Sequence, residues 1–125
     1  MIIAITKETL QNEFRVSLTP HACADFVKSG HKIHIESGAG LHSYYTDEEY
    51  KKAGVEVVEQ KQDLYKDADI ITKVSPFSID ELSIISKNTI IISLIQPTIE
   101  KEIVIKATER NLTGLSMHLI PRTTL

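Results

Sequence analysis

The chain has 125 residues, 42% of them hydrophobic and 25% charged, with a formal net charge of −3. That balance fits one domain with a core of its own and excludes intrinsic disorder. There is no basic run to meet nucleic acid, no apolar stretch near the roughly 20 residues of a membrane helix, and a single cysteine, Cys23, that cannot close an internal disulfide. The first residues also lack the basic start and long apolar region of a signal peptide, so the cytoplasm is the expected compartment.

The apolar run Ile2–Ile5 predicts the first strand, followed by a polar loop that ends at Thr19-Pro20. Thr19 is a good N-cap, and proline at the first helical position gives up only an N–H that has no helical partner. Ala22, Cys23, Phe26 and Val27 share a helical face, and Gly30 closes that helix. Lys32–Glu36 alternates as a second strand, Ser37–Gly40 is a turn, and Thr46 with Glu49 has capping-box spacing for a helix over Asp47–Ala53. Val55–Val58 predicts a third strand, Gln62–Lys66 a short helix, and Asp69–Val74 a fourth strand ended by Ser75-Pro76. Ser78 and Glu81 form a second capping box before Leu82 and Ile85. Thr89–Ile95 is the most apolar run and is therefore expected at the centre of the sheet. Thr98 caps a helix carrying Ile99, Ile103 and Ala107, and Leu112–Met117 is the last strand. Six strands alternating with helices predict an α/β fold: a three-layer, mostly parallel, Rossmann-like or flavodoxin-like sheet with helices on both faces. No helix returns after the last strand, so residues 1–125 read as the beginning of something longer.

In such a sheet, ligands bind outside the carboxyl ends of the strands. That rim collects Lys7, Arg15, Lys73, Gln96 and Arg122, with Pro76, Pro97 and Pro121 each following a strand. The planar fork of Arg15 suits a carboxylate or phosphate. It serves equally well in an exposed ion pair with Glu13 or Glu8, and proline by itself simply ends strands. Gly38-Ala39-Gly40 lacks the third glycine of a dinucleotide loop, because Ser43 stands there, and no long helix follows, so it reads as a plain turn. Of five histidines, His31 and His34 fall on opposite strand faces, and only His118 lies near the rim. None has zinc spacing with Cys23, so no metal site is expected, and no side-chain constellation for acid–base or nucleophilic catalysis is present.

Thr6-Lys7-Glu8, Asn12-Glu13-Phe14-Arg15-Val16 and Leu18-Thr19-Pro20 resemble the opening of the alanine dehydrogenase and nicotinamide nucleotide transhydrogenase superfamily. The resemblance continues through Gly30-His31, Glu36-Ser37-Gly38-Ala39-Gly40, Ala53-Gly54, Lys73-Val74 and Ile120-Pro121-Arg122, covering the whole chain in order. For the alanine dehydrogenase branch it implies an arginine on the substrate carboxylate, which Arg15 matches. It also implies a lysine two residues after Lys73 and a histidine near the end of the fifth strand, where this chain has Ser75 and Gln96. The transhydrogenase branch resembles this chain in lacking both, and in having proline where Pro97 stands and a Pro-Arg pair like Pro121-Arg122. In that branch the resemblance implies that Arg122 approaches the nicotinamide side of bound NAD(H). Thr123-Thr124-Leu125 and Gln96-Pro97-Thr98 depart from the usual segments there.

The resemblance therefore implies the N-terminal domain of the NAD(H)-binding component, the alpha subunit, of a proton-translocating NAD(P) transhydrogenase. The NAD-binding Rossmann domain would follow it and is absent here. The complete component would be dimeric, cytoplasmic, peripheral to the inner membrane, and partnered by NADP-binding and membrane parts. The chain alone is expected to be inactive. The alternatives are a non-catalytic truncated remnant or association module using the exposed last strand as an edge, and a divergent amino-acid dehydrogenase, against which Ser75 and Gln96 count.

Overall fold

The structure is a computed structural model that describes residues 1–94 and 101–117. The strands are β1 (Ile2–Ile5), β2 (Lys32–Glu36), β3 (Glu56–Val58), β4 (Ile70–Thr72), β5 (Ile90–Ser93) and β6 (Thr113–Ser116). They form one sheet in the order β3-β2-β1-β4-β5-β6, and all five pairings are parallel. The helices are α1 (Pro20–Lys28), α2 (Asp47–Lys52), α3 (Lys61–Lys66), α4 (Ile79–Ile84) and α5 (Lys101–Glu109). This is the doubly wound order, and it reverses direction between β1 and β4.

Side-chain alternation divides the core in two. Ala4, Ile71 and Ile91 pack with Leu64, Tyr65, Phe77, Leu82 and Ile85 from α3, α4 and their flanks. Ile3, Ile5, Ile33 and Ile35 face the other way, against Cys23 of α1 and Tyr50 of α2. β1 is thus buried on both faces, which is why its sequence is a continuous apolar run rather than an alternating one.

The caps form as their residue types require. Thr19 Oγ1 accepts from Ala22 N at 3.2 Å, and both capping boxes, Thr46 with Glu49 and Ser78 with Glu81, are complete. The predicted cap at Thr98 lies outside the described residues. β4 is shorter than its apolar run because the N–H of Val74 goes to the Glu8 carboxylate at 2.9 Å, not to a neighbouring strand.

The central strands are β1 and β4, not β5 as the apolar run predicted. β5 is apolar for another reason. Ile92 and Leu94 line an open groove of about 460 Å³ with Ile3, Leu18, Phe26, Ile70 and Met117. Apolar composition marks a surface to be covered, and among the described residues no helix lies over this part of the sheet.

The turn Ser37–Gly40 packs against the ring of Tyr50, whose hydroxyl donates to Leu18 O at 2.8 Å. A Cβ on Gly40 would stand 2.6 Å from Tyr50 Cε2 and 3.0 Å from the backbone oxygen of Tyr45. Tyr50 is fully buried and has no room to yield. Gly40→Ala is therefore expected to lower unfolding free energy by about 1–3 kcal/mol in urea titration, as overpacking does elsewhere.

Candidate functional site on the carboxyl-end rim

The reversal of strand order between β1 and β4 opens a crevice at the carboxyl end of the sheet, where this class of fold places ligands. The first loop, residues 6–19, leaves β1, and a second loop leaves β4 at Lys73. Glu8 bridges them. Its carboxylate accepts from Val74 N and Ser75 N, each at 2.9 Å, and from Ser75 Oγ at 2.6 Å. Glu8 is 7% exposed and Ser75 is 4% exposed. The backbone donors of the crevice are thus occupied by the chain's own carboxylate.

A second carboxylate fixes the loop's start. Glu36, the last residue of β2, accepts from Lys7 N at 2.7 Å and from Thr6 Oγ1 at 3.1 Å. The Tyr65 hydroxyl lies 2.8 Å from Thr6 Oγ1 and 3.0 Å from Glu81 Oε2. Glu81 also holds the ammonium of Lys73 at 2.7 Å and that of Lys61 at 3.3 Å. Burial alone would raise the Glu81 carboxyl, but the hydrogen bond and charge of Lys73, the Ser78 N–H and the charge of Lys61 outweigh it and hold it below its ordinary value. Burial, and next the charge of Glu81, push the Tyr65 phenol upward, so it stays a neutral hydroxyl.

Because the Glu81 pKa is depressed on folding, its contribution is present above the unfolded value, near 4.5, and is lost as pH falls through the folded value. The urea midpoint is expected to fall as the solution is acidified below about pH 4.5, and Glu81→Gln to flatten that limb.

Lys73, one of the rim candidates, is buried, and its ammonium lies 5.6 Å from the centre of the Phe77 ring while bonded to Glu81. Arg15 is exposed over 67% of its side chain. Its Nε and Nη2 donate to Oε1 and Oε2 of Glu13, both at 2.9 Å, and its backbone N donates to Glu13 Oε1 at 3.1 Å. Of the two alternatives for an ion pair, Glu13 is the partner formed. Both Arg15 and Lys73 border the apolar groove, but their charged ends go to different carboxylates and do not converge. Gln96 and Arg122 lie outside the described residues, as do His118, Pro97 and Pro121.

The turn at Gly38 is not a phosphate cradle. Gly38 N donates to Asp47 Oδ1 at 3.0 Å, and Ala39 N donates to Glu36 O at 3.0 Å. Only a three-residue 3-10 turn, Leu41–Ser43, follows. His34 Nε2 stands 3.3 Å from Glu56 Oε2 across the β2–β3 pair, away from the rim.

The residues that shape this site and whose roles sequence reasoning missed are Glu8, Glu36, Tyr65 and Lys61. Their local surroundings gave no signal, since each partner comes from another element.

The family profile described as "Alanine dehydrogenase/PNT, N-terminal domain" matches residues 4–125. The chain is 33% identical to the first of the polypeptides that make up the NAD(P) transhydrogenase alpha subunit of Rickettsia prowazekii, covering 99% of this chain and 33% of that protein. It is 32% identical to the alanine dehydrogenase of Methanococcus maripaludis, over 96% of this chain and 32% of that one. Among solved structures, the transhydrogenase from Sinorhizobium meliloti superposes with a TM-score of 0.92 at 34% identity, over 99% of this chain and 37% of that chain. An L-alanine dehydrogenase superposes at 0.89 with 27% identity, over 93% of this chain and 32% of that one. The chain thus spans about a third of the length of these relatives, and both branches match it over nearly its whole extent. On this profile match, with its doubly wound sheet, the chain belongs to the alanine dehydrogenase/PNT N-terminal domain family.

Proposed function

We propose that the chain is the front portion of the NAD(H)-binding component of a proton-translocating NAD(P) transhydrogenase, serving hydride transfer between NAD(H) and NADP(H). The observation that carries this reading is the fate of Ser75. At the position where alanine dehydrogenases are expected to carry a lysine, this chain has a buried serine whose N–H and hydroxyl are both given to Glu8. Lys73, two residues earlier, is spent on Glu81. This loop therefore presents no ammonium to polarise the carbonyl of a 2-oxo acid, which the amino-acid dehydrogenase reaction needs.

The described residues do not fit a dinucleotide. The amides of Gly38 and Ala39 are consumed within the chain. We assign NAD(H) binding to the portion of the relatives that lies beyond the matched third, with the nicotinamide carrying the hydride chemistry. The role of this segment is to hold a rigid rim against that cofactor, with Arg15 exposed on it, and with Arg122 and Gln96 as nicotinamide-side and rim groups. In this reading the segment alone is inactive. The working assembly is a dimer with NADP-binding and membrane components, at the cytoplasmic face of the inner membrane.

Alanine dehydrogenation is the second reading, favoured by the Methanococcus relative and by Arg15. One experiment separates the two. The chain is joined to the remaining two thirds of the Rickettsia relative and mixed with the NADP-binding component. The expected result is reduction of thio-NADP(+) by NADH. A hybrid that instead oxidises NADH with pyruvate and ammonia overturns the proposal.

A further inference from the structure

We infer that Glu13 is a built-in occupant of an anion-binding fork on Arg15, so that an incoming carboxylate or phosphate must displace it. The inference rests on reading Arg15 as a rim group, as proposed above. It concerns what fills the fork in the chain by itself.

Three hydrogen bonds join the two residues, and two of them are the parallel pair by which a guanidinium grips a carboxylate. The carboxylate is placed by the loop rather than by chance encounter. Asn12 adopts a left-handed conformation at φ 66°, and Glu13 N donates to Leu10 O at 3.1 Å, closing the turn that presents the side chain. Glu13 is 11% exposed along its side chain against 67% for Arg15. The guanidinium is therefore open to solvent while the edge that would grip a ligand is already taken. The hydrogen bond to Arg15 holds the Glu13 carboxyl below its ordinary value, so it is ionised at neutral pH.

Glu8 makes the contrast. Its donors sit on another loop, 66 and 67 residues away in sequence, and releasing it would break the crevice. Glu13 lies two residues from Arg15 in the same loop. Rotation of its side chain frees the fork without disturbing either core. The arrangement favours ligands with two oxygens set to replace both of Glu13's, and it rejects anions that engage only one donor.

The test uses the 125-residue chain labelled with ¹⁵N, following the Arg15 Nε–H resonance and the amides of residues 13–17. Sodium pyruvate and inorganic phosphate are titrated separately into wild type and Glu13→Gln. Glutamine keeps the size of the side chain and removes its charge. The expected result is a half-saturating concentration about fivefold lower in Glu13→Gln for at least one anion, the upper range of an exposed ion pair with bidentate geometry. Whichever anion responds names the ligand class, and Arg15→Gln abolishes the response. If Glu13→Gln does not fold, Glu13→Asp, whose shorter side chain withdraws the carboxylate, carries the same expectation. Half-saturation within about twofold of wild type for both anions, or no response in either protein, overturns the inference. No dinucleotide or partner enters the titration, so failure of the hybrid enzyme leaves its result unaffected.

Discussion

Replacing Glu81 by alanine is expected to cost about 3–5 kcal/mol of unfolding free energy, read from the urea midpoint. Glu81 holds Lys73, whose side chain is only 2% exposed, at 2.7 Å, and also Lys61 at 3.3 Å. Without it the Lys73 ammonium stays buried beside Phe77 with no counter-charge, and desolvation then counts in full. The same carboxylate caps α4 by accepting from Ser78 N at 3.1 Å, so the helix start is lost with the pair. Lys73→Met combined with Glu81→Leu removes both charges together. It is expected to recover most of the loss, because a buried pair contributes little beyond what apolar packing supplies. If the single substitution costs less than about 1 kcal/mol, Lys73 is not buried against Glu81 in solution.

The second large effect is expected at Glu8. Alanine there leaves Val74 N, Ser75 N and Ser75 Oγ without their acceptor in a crevice that is largely closed to water. Each unsatisfied buried group costs about 1–3 kcal/mol, and water entering the vacated space recovers some of this, so the expected loss is about 2–4 kcal/mol. Glu8→Gln keeps one carbonyl acceptor and is expected to lose roughly half as much. The measurement is the urea midpoint of the three proteins side by side. Equal midpoints would mean that the two loops do not touch through Glu8.

Much of the fold was legible because its signals are local. The continuous apolar run Ile2–Ile5 marked a strand buried on both faces, Thr19-Pro20 marked a helix start, and two capping boxes stood where the spacing of Thr46 with Glu49 and Ser78 with Glu81 put them. Strand order was less legible. β5 is richer in isoleucine than its place in the sheet requires, because one of its faces lines the groove. The rim was the least legible region. Arg15 reads as an anion group and turns out to be paired within its own loop, as one of the two sequence readings had it. Lys73 reads as a rim cation, but Glu81, recognisable from sequence only as a capping residue, takes its ammonium inward. Glu8 and Ser75 are 67 residues apart, and nothing in the spacing of either announces the other.

The rim as described is a structure held by its own carboxylates, and hydrogen exchange at Val74 and Ser75 tests that most directly. The account predicts that both amides exchange only on global unfolding in the wild-type chain, and that their protection collapses in Glu8→Ala while that of Ile71 in β4 follows the lower global stability. Fast exchange of Val74 and Ser75 in the wild-type chain would contradict it, because the crevice between β1 and β4 would then stand open.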